Sequence, residues 1–322
     1  MHRFTFVRLA LLGVALLALA QSASAQTQAG AIKAVRVTGE VTKVTVDGSR
    51  TPIVEGQSLI ETDVVDTGAD SGVVLVFMNG SSIKLAENSR LAVEEFKMDP
   101  LGEDIAVAGL AGEPTVSKTR LNLAYGEMVG SVKKLNTTSR FDIKTPVGAA
   151  GIRGTTFRIV LRFQADGQVQ FQLSTSEGRV VFSGVVPAGE GSTPTDTTAT
   201  EVEVAAGQEV SAVVQVNPTT NTVTSVQVSS AQPISAEATQ AINTAVTQAI
   251  QQAVQSTSFT PTEQSNAAAQ TPVTTSPPSQ PSSQQTTQEQ PGVSSPPKTT
   301  PPPAPVITPP TILDTSVRSG SG

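Results

Sequence analysis

The chain has 322 residues, a formal charge of −6, 38% hydrophobic residues, no cysteine, no tryptophan, one tyrosine and one histidine. Lack of cysteine excludes a disulfide framework, a thiolate nucleophile and Cys-based zinc sites, so the core must come from Val, Ile, Leu and Phe. A mildly acidic chain without a basic block gives no electrostatic reason to bind nucleic acid or an anionic membrane.

Residues 1–25 follow the pattern of a secretory signal peptide: Arg3 and Arg8, an apolar run from Leu9 to Ala20, then Ala23-Ser24-Ala25 as the cleavage site. The apolar run is 12 residues long, whereas a membrane-spanning helix needs about 20. Cleavage would remove His2, the only histidine, and with it any Ser–His pair. The mature chain is expected to be exported to the periplasm or the cell surface, with no stable membrane insertion.

From residue 31 to about 230 the pattern is that of strands. Val35, Val37, Val41, Val44 and Val46 alternate with polar residues, Val73 to Phe77 is continuously apolar, and Ile83 and Leu85 alternate again. The period of two continues through Phe141 and Ile143, Phe157 to Phe163, Val169 to Leu173, and Val202 and Val204. Turn signals stand at Asp47-Gly48, Asn79-Gly80, Asp166-Gly167 and Glu177-Gly178. A looser echo recurs at Gly39-Glu40-Val41, Tyr125-Gly126-Glu127, Glu177-Gly178-Arg179 and Ala206-Gly207-Gln208, and would set a glycine at successive corners of stacked short strands. An all-β domain follows; a solenoid-like stack and a sandwich both satisfy the pattern.

Residues 94–120, with Asp99-Pro100-Leu101-Gly102 and Gly109-Leu110-Ala111-Gly112, are expected to leave the core as one long excursion. Thr145-Pro146-Val147-Gly148-Ala149-Ala150-Gly151-Ile152-Arg153-Gly154-Thr155-Thr156-Phe157 reads as a sharply folded corner with one cation, since proline suits an edge and glycine a positive φ. Pro187 to Thr200 reads as a second loop.

At residues 235–255 the period changes. Ala238, Ile242, Val246, Ile250 and Val254 recur every four residues with Ser235 placed to cap, which predicts an alanine-rich amphipathic helix docked on the β domain. Beyond 256 the chain is rich in Pro, Ser, Thr and Gln. Fourteen of its 22 prolines lie past residue 260, so 256–322 is expected to be a disordered tail with polyproline II character.

The corner at Thr145–Phe157 resembles the signature of the FecR domain, a bacterial extracytoplasmic module. Thr62-Asp63-Val64-Val65-Asp66-Thr67-Gly68 and Val73 through Gly80 to Leu85 carry the second block of that resemblance, which spans roughly 35–215 with its core in 60–160. The resemblance implies a FecR-like β-rich domain in which Asp66, Thr67, Gly68, Gly80, Thr145, Pro146, Arg153, Gly154, Thr155 and Phe157 are structural signature residues, with no catalytic residue, cofactor or metal. FecR-type regulators join this domain to a transmembrane helix and a cytoplasmic anti-sigma segment, and relay occupancy of an outer-membrane transporter to a sigma factor. In this chain residues 1–25 are expected to be an export signal in place of those two parts. The resemblance therefore implies a non-enzymatic exported module that contacts an envelope or surface protein, in association with signalling.

Other readings use the same residues. Val64-Val65-Asp66-Thr67-Gly68-Ala69 resembles the Asp-Thr-Gly-Ala loop of aspartic proteases, where two aspartates share a proton; with one such loop, activity would require a symmetric dimer using Asp66. The FecR-like reading makes Asp66 to Ser71 a polar turn capping a strand. Asp63, Asp66 and Asp70, or Asp99, Glu103 and Asp104, offer oxygens for calcium but without a recognised spacing. Arg153 could contact a partner's carboxylate; the favoured role is structural, buried at its corner, with its donors on backbone carbonyls or Asp142. A structural or adhesive surface protein using the Pro-rich tail as a stalk is the alternative class.

Overall fold

The computed structural model describes residues 27–184, 200–217 and 222–270, all within a compact unit that ends at Thr271. The expected leader, residues 187–199 of the expected second loop, and residues 271–322 lie outside the described residues.

Alternating side chains build two sheets that progress in step. The first runs Ile32–Thr38, Gly72–Phe77, Ser82–Leu85, then residues 126–131, 156–163, 168–175 and 208–215, and finally Thr222–Val228, every neighbour antiparallel. The second runs Arg50–Pro52, Val41–Val44, Val64–Thr67, Ser89–Met98, then residues 117–125, Arg140–Thr145, residues 148–153 and 179–184, and Thr200–Ala205. Residues 118–122 and 140–144 form the parallel pair in that series.

Three strands belong to both sheets. Ser117–Ser131, Gly148–Phe163 and Gln168–Gly184 bend at Gly126 (φ 101°), Gly154 (φ 62°) and Gly178 (φ 76°). These bends exclude a side chain: a Cβ on Gly126 would lie 2.1 Å from Ser89 Oγ, and one on Gly178 would lie 2.3 Å from the Gly154 carbonyl oxygen. Gly39 and Gly207 turn the chain between successive strands in the same left-handed conformation. The corner glycines read from the sequence are thus real, and they join two facing sheets into one continuous hydrogen-bonded network. Glu177-Gly178 is a correction: it is not a hairpin turn but a bend within one strand, because both flanking segments continue pairing with Gly148–Phe163.

The core fills the space between the sheets. Phe77 of the first meets Phe96 and Phe141 of the second edge-on, at centroid distances of 5.2 and 6.1 Å, and Phe171 stacks on Phe182 at 4.6 Å.

The helical segment covers the outer face of the first sheet. Ser235 Oγ caps it by accepting the Ala238 N–H at 3.2 Å. It proceeds as Ala236–Ala245, a π-helical turn Val246–Ile250, and Gln251–Gln255. A repeat of four exceeds the 3.6 residues of an α-helical turn, and the wider π turn absorbs part of that drift. Ala238, Ile242, Ala245, Ile250 and Ala253 are buried, and the segment crosses from Gln168–Gly184 towards Gly72–Phe77 as it docks.

Two boundaries differ from the sequence expectation. The excursion is shorter than 94–120, since Ser89–Met98 keeps its pairing to Met98 and Ser117–Ser131 begins at Ser117. The tail expected from 256 begins its described course as structure: Ser258–Phe259 pairs with Ile105–Ala106, and Pro261–Gln270 is a helix. Phe259 is fully buried, and Gln264 accepts the Leu101 N–H at 2.8 Å while donating to the Asp99 carbonyl at 3.3 Å. Composition concealed a capping box, in which Thr260 N–H donates to Glu263 Oε2 and Glu263 N–H to Thr260 Oγ1.

Candidate interaction surfaces

Asp66 and Thr67 lie within the strand Val64–Thr67 rather than in a turn; the turn begins at Gly68, whose N–H donates to the Glu40 carbonyl at 2.9 Å. Asp66 faces outward between two arginines. Arg90 Nη1 donates to Oδ1 and Oδ2 at 3.1 and 2.9 Å, and Arg50 Nη2 donates to Oδ2 at 2.9 Å. Thr67 Oγ1 donates to the Ala86 carbonyl at 2.6 Å and accepts the Ser89 N–H at 2.9 Å, tying three strands at the corner. Gly80 takes φ 87° in the turn after Gly72–Phe77.

The second signature block is a hairpin. Pro146-Val147 forms the two-residue turn between Thr145 and its partner Gly148, and Thr145 Oγ1 donates to the Gly148 carbonyl at 2.9 Å. Arg153 bonds backbone carbonyls as expected, with Nη2 donating to Thr137 and Ser139 at 2.8 and 3.1 Å. It is exposed rather than buried, and Asp142 is not its partner; strand pairing at Arg153 directs its side chain over the loop that carries Thr137. Gly154 bends the strand, Thr155 is buried beside it, and Phe157 fills the space above Gly130, where a Cβ would stand 2.3 Å from the ring. Two strands, Ser89–Met98 and Ser117–Ser131, separate Asp66 from this hairpin, so the signature residues do not converge on one site.

The candidate carboxylates also part company. Asp63 is buried, accepts the Ile60 N–H at 3.0 Å and lies 3.8 Å from Lys43; Asp66 faces its arginines, and Asp70 stands exposed at the following corner. Among the described residues no three His, Cys, Asp or Glu side chains form a group able to hold a metal ion. Burial pushes the carboxyls of Glu61, Asp63 and Asp142 above their ordinary range.

The outer face of the second sheet is a ladder of charges. After the Arg50–Asp66–Arg90 cluster, a bulge opposite Arg120 and Leu121 sets both Glu94 and Glu95 on one face. Glu94 accepts from Asn122 at 3.0 Å and pairs with Lys144 at 3.1 Å; Glu95 lies 3.6 Å from Arg120. Beside this ladder, Ala149, Gly151 and Val181 leave a strip of short side chains, with Val181 38% exposed. Asp142 borders the strip. It has Arg140, Arg120 and Lys144 in its field but no hydrogen bond among the described residues.

The opposite face holds a pair that sequence reading missed. Arg158, its side chain 5% exposed, donates from Nε and Nη2 to Glu127 Oε1 and Oε2 at 2.8 and 3.0 Å, and lies 3.6 Å from Glu237 on the covering helix. A signal existed: alternation in Phe157 to Phe163 puts Arg158 opposite the buried Phe157, on the face that the helix covers. On either side of this pair are cavities of about 330 and 290 Å³, the first reaching Lys84 and Gln240, the second Arg162 and Gln172. The buried Arg158 is thus engaged in holding the helix rather than offered to a ligand.

Residues 63–181 match a family described as FecR protein. No curated protein matches the chain. Two crystal structures of a provisionally assigned anti-sigma factor from Parabacteroides distasonis ATCC 8503 are similar to it, at 11% and 12% identity and TM-scores of 0.34. The alignments cover 55% of this chain and 62% and 63% of those chains, so it spans less than two thirds of their length.

Proposed function

From the match of residues 63–181 to the FecR family, we propose an exported, non-catalytic module that works by protein contact in envelope signalling. The observation that carries this reading is the fate of Asp66. Its carboxylate is the chain's sharpest candidate for chemistry, yet both oxygens accept from Arg90 and one also from Arg50. Guanidinium donors thus occupy the carboxylate where an aspartic dyad would need it to share a proton with a second aspartate.

Apart from the two cavities beside the covering helix, the outer face of the second sheet is what remains for contact. The strip of Ala149, Gly151 and Val181 beside Asp142 offers apolar area and an acceptor with no hydrogen bond of its own among the described residues, inside a rim of paired charges. A partner presenting a donor flanked by apolar groups would satisfy both. No helix among the described residues is long and apolar enough to cross a membrane.

The test places a photo-crosslinking residue at Ala149 or Val181, with Gln240 on the helix as control, in cells expressing the whole chain. The expected result is a crosslink to one envelope protein from the sheet positions, and a purified protein whose N-terminus begins after Ala25. Retention of residues 1–25 in the cytosol would overturn export. Peptide cleavage by the purified protein, abolished in Asp66→Asn, would overturn the non-catalytic reading.

A further inference from the structure

Two facing sheets have four outer edges, and three of them are blunted. The edge strand Arg50–Pro52 is short and carries Arg50 and Pro52. Thr200–Ala205 carries Glu201 and Glu203. Ile32–Thr38 carries Lys33 and Arg36 and is partly covered by Ser58–Leu59. Charges, proline and covering segments are the devices by which sheet proteins keep their edges from pairing with other chains.

The fourth edge carries no charge, proline or covering strand among the described residues, and its one irregularity is a bulge at Thr224. Thr222–Val228 is seven residues long and pairs on one side with residues 212–217; no other strand pairs with it among the described residues. Its sequence, Thr-Val-Thr-Ser-Val-Gln-Val, is rich in β-branched residues. Residues 210–236 contain no Asp, Glu, Lys, Arg or His at all. Thr224, Ser225 and Gln227 are exposed, while Val226 and Val228 pack partly against the core; beyond the bulge at Thr224, residues 225–228 pair in regular register with 212–215.

We propose that Thr222–Val228 is a docking edge for a second copy of this chain, the two strands pairing antiparallel across a two-fold axis to continue the first sheet. Neutrality is the argument for a second copy. In an isologous contact each residue meets the same set of residues, so any charge on the edge would face its like. A chain of net charge −6 can approach itself at close range only where its own charge is absent, whereas a foreign partner would be selected by a complementary charge. The edge Thr200–Ala205 shows the contrast: self-pairing there would set Glu201 and Glu203 of one copy against those of another. A single seven-residue strand pair buries little area, which makes this a weak, concentration-dependent dimer. The inference stands on strand pairing and charge, independently of the signalling role.

Sedimentation of the protein, purified from cells that express the whole chain, tests it across about 1 µM to about 1 mM, the range of weak association. The expected result is a monomer–dimer equilibrium, with the amides of 222–228 gaining protection from hydrogen exchange as concentration rises. Ser225→Lys with Gln227→Lys should raise the dimer dissociation constant about tenfold or more, with an unchanged melting temperature. Mixing that variant with Ser225→Glu, Gln227→Glu should restore a heterodimer, which a merely unfolded variant would not do. Monomer throughout, protection of the edge independent of concentration, or dimerisation indifferent to the lysines would each overturn the proposal.

Discussion

Arg158 and Glu127 form a two-pronged ion pair, Nε to Oε1 at 2.8 Å and Nη2 to Oε2 at 3.0 Å, beneath the helix that begins at Ala236. Removing one partner leaves a charge out of water, whereas replacing both with apolar groups need not destabilise. Glu127→Ala is expected to cost about 3 kcal/mol, the lower end for a buried pair because Glu127 keeps 23% exposure. Arg158→Met with Glu127→Leu should recover most of that loss. Urea denaturation of the three proteins measures it.

The corner glycines should differ sharply. Gly178→Ala must accept both a left-handed backbone and a Cβ 2.3 Å from the Gly154 carbonyl oxygen, with Thr155 Cγ2 at 2.5 Å. About 3 kcal/mol of stability should be lost. Gly207 has φ 75°, but no atom lies within 4 Å of the place a Cβ would take, so Gly207→Ala should lose only about 1 kcal/mol. Equal losses in thermal denaturation would show that backbone conformation alone governs these bends.

Phe259 closes the excursion between Met98 and Ser117, pairing with Ile105 and lying under Lys33 Nζ at 4.8 Å from the ring centroid. Phe259→Ala should cost about 3 kcal/mol. Limited proteolysis should then cut within 99–116 before it cuts either sheet.

Protonation gives a sign that can be checked. The half-buried Asp142 carboxyl has a raised pKa in the folded chain, because partial burial penalises its charged form, so the folded state binds its proton more tightly than the unfolded one. Its contribution to stability is therefore most favourable at acid pH and is lost as pH rises through the folded pKa. Asp142→Asn should stabilise the protein at neutral pH, and that gain should vanish as pH falls towards the ordinary carboxylate range. Urea midpoints of both proteins between these limits decide the point; a gain that persists unchanged at acid pH would assign the effect to something other than ionisation.

Much of the β domain was legible because its signals are local. Valine alternation, the Asn79-Gly80 turn, the Pro146-Val147 hairpin and Ser235 as a cap each depend on residues a few positions apart. The boundary at 256 was misread for the opposite reason: Phe259 and Gln264 gain their burial from Ile105, Leu101 and Asp99, more than 150 residues away.

The sequence by itself determined the all-β character, the row of glycines that must bend and the capped helix, since period, positive φ and capping are properties of short segments. Only the tertiary structure decided that each long strand serves two sheets, that Asp66 is held between Arg50 and Arg90, that Arg158 lies under the helix, and that one sheet edge is left bare. Those outcomes depend on which distant strands become neighbours, and pairing partners are chosen by the burial of the whole core rather than by any stretch of residues read alone.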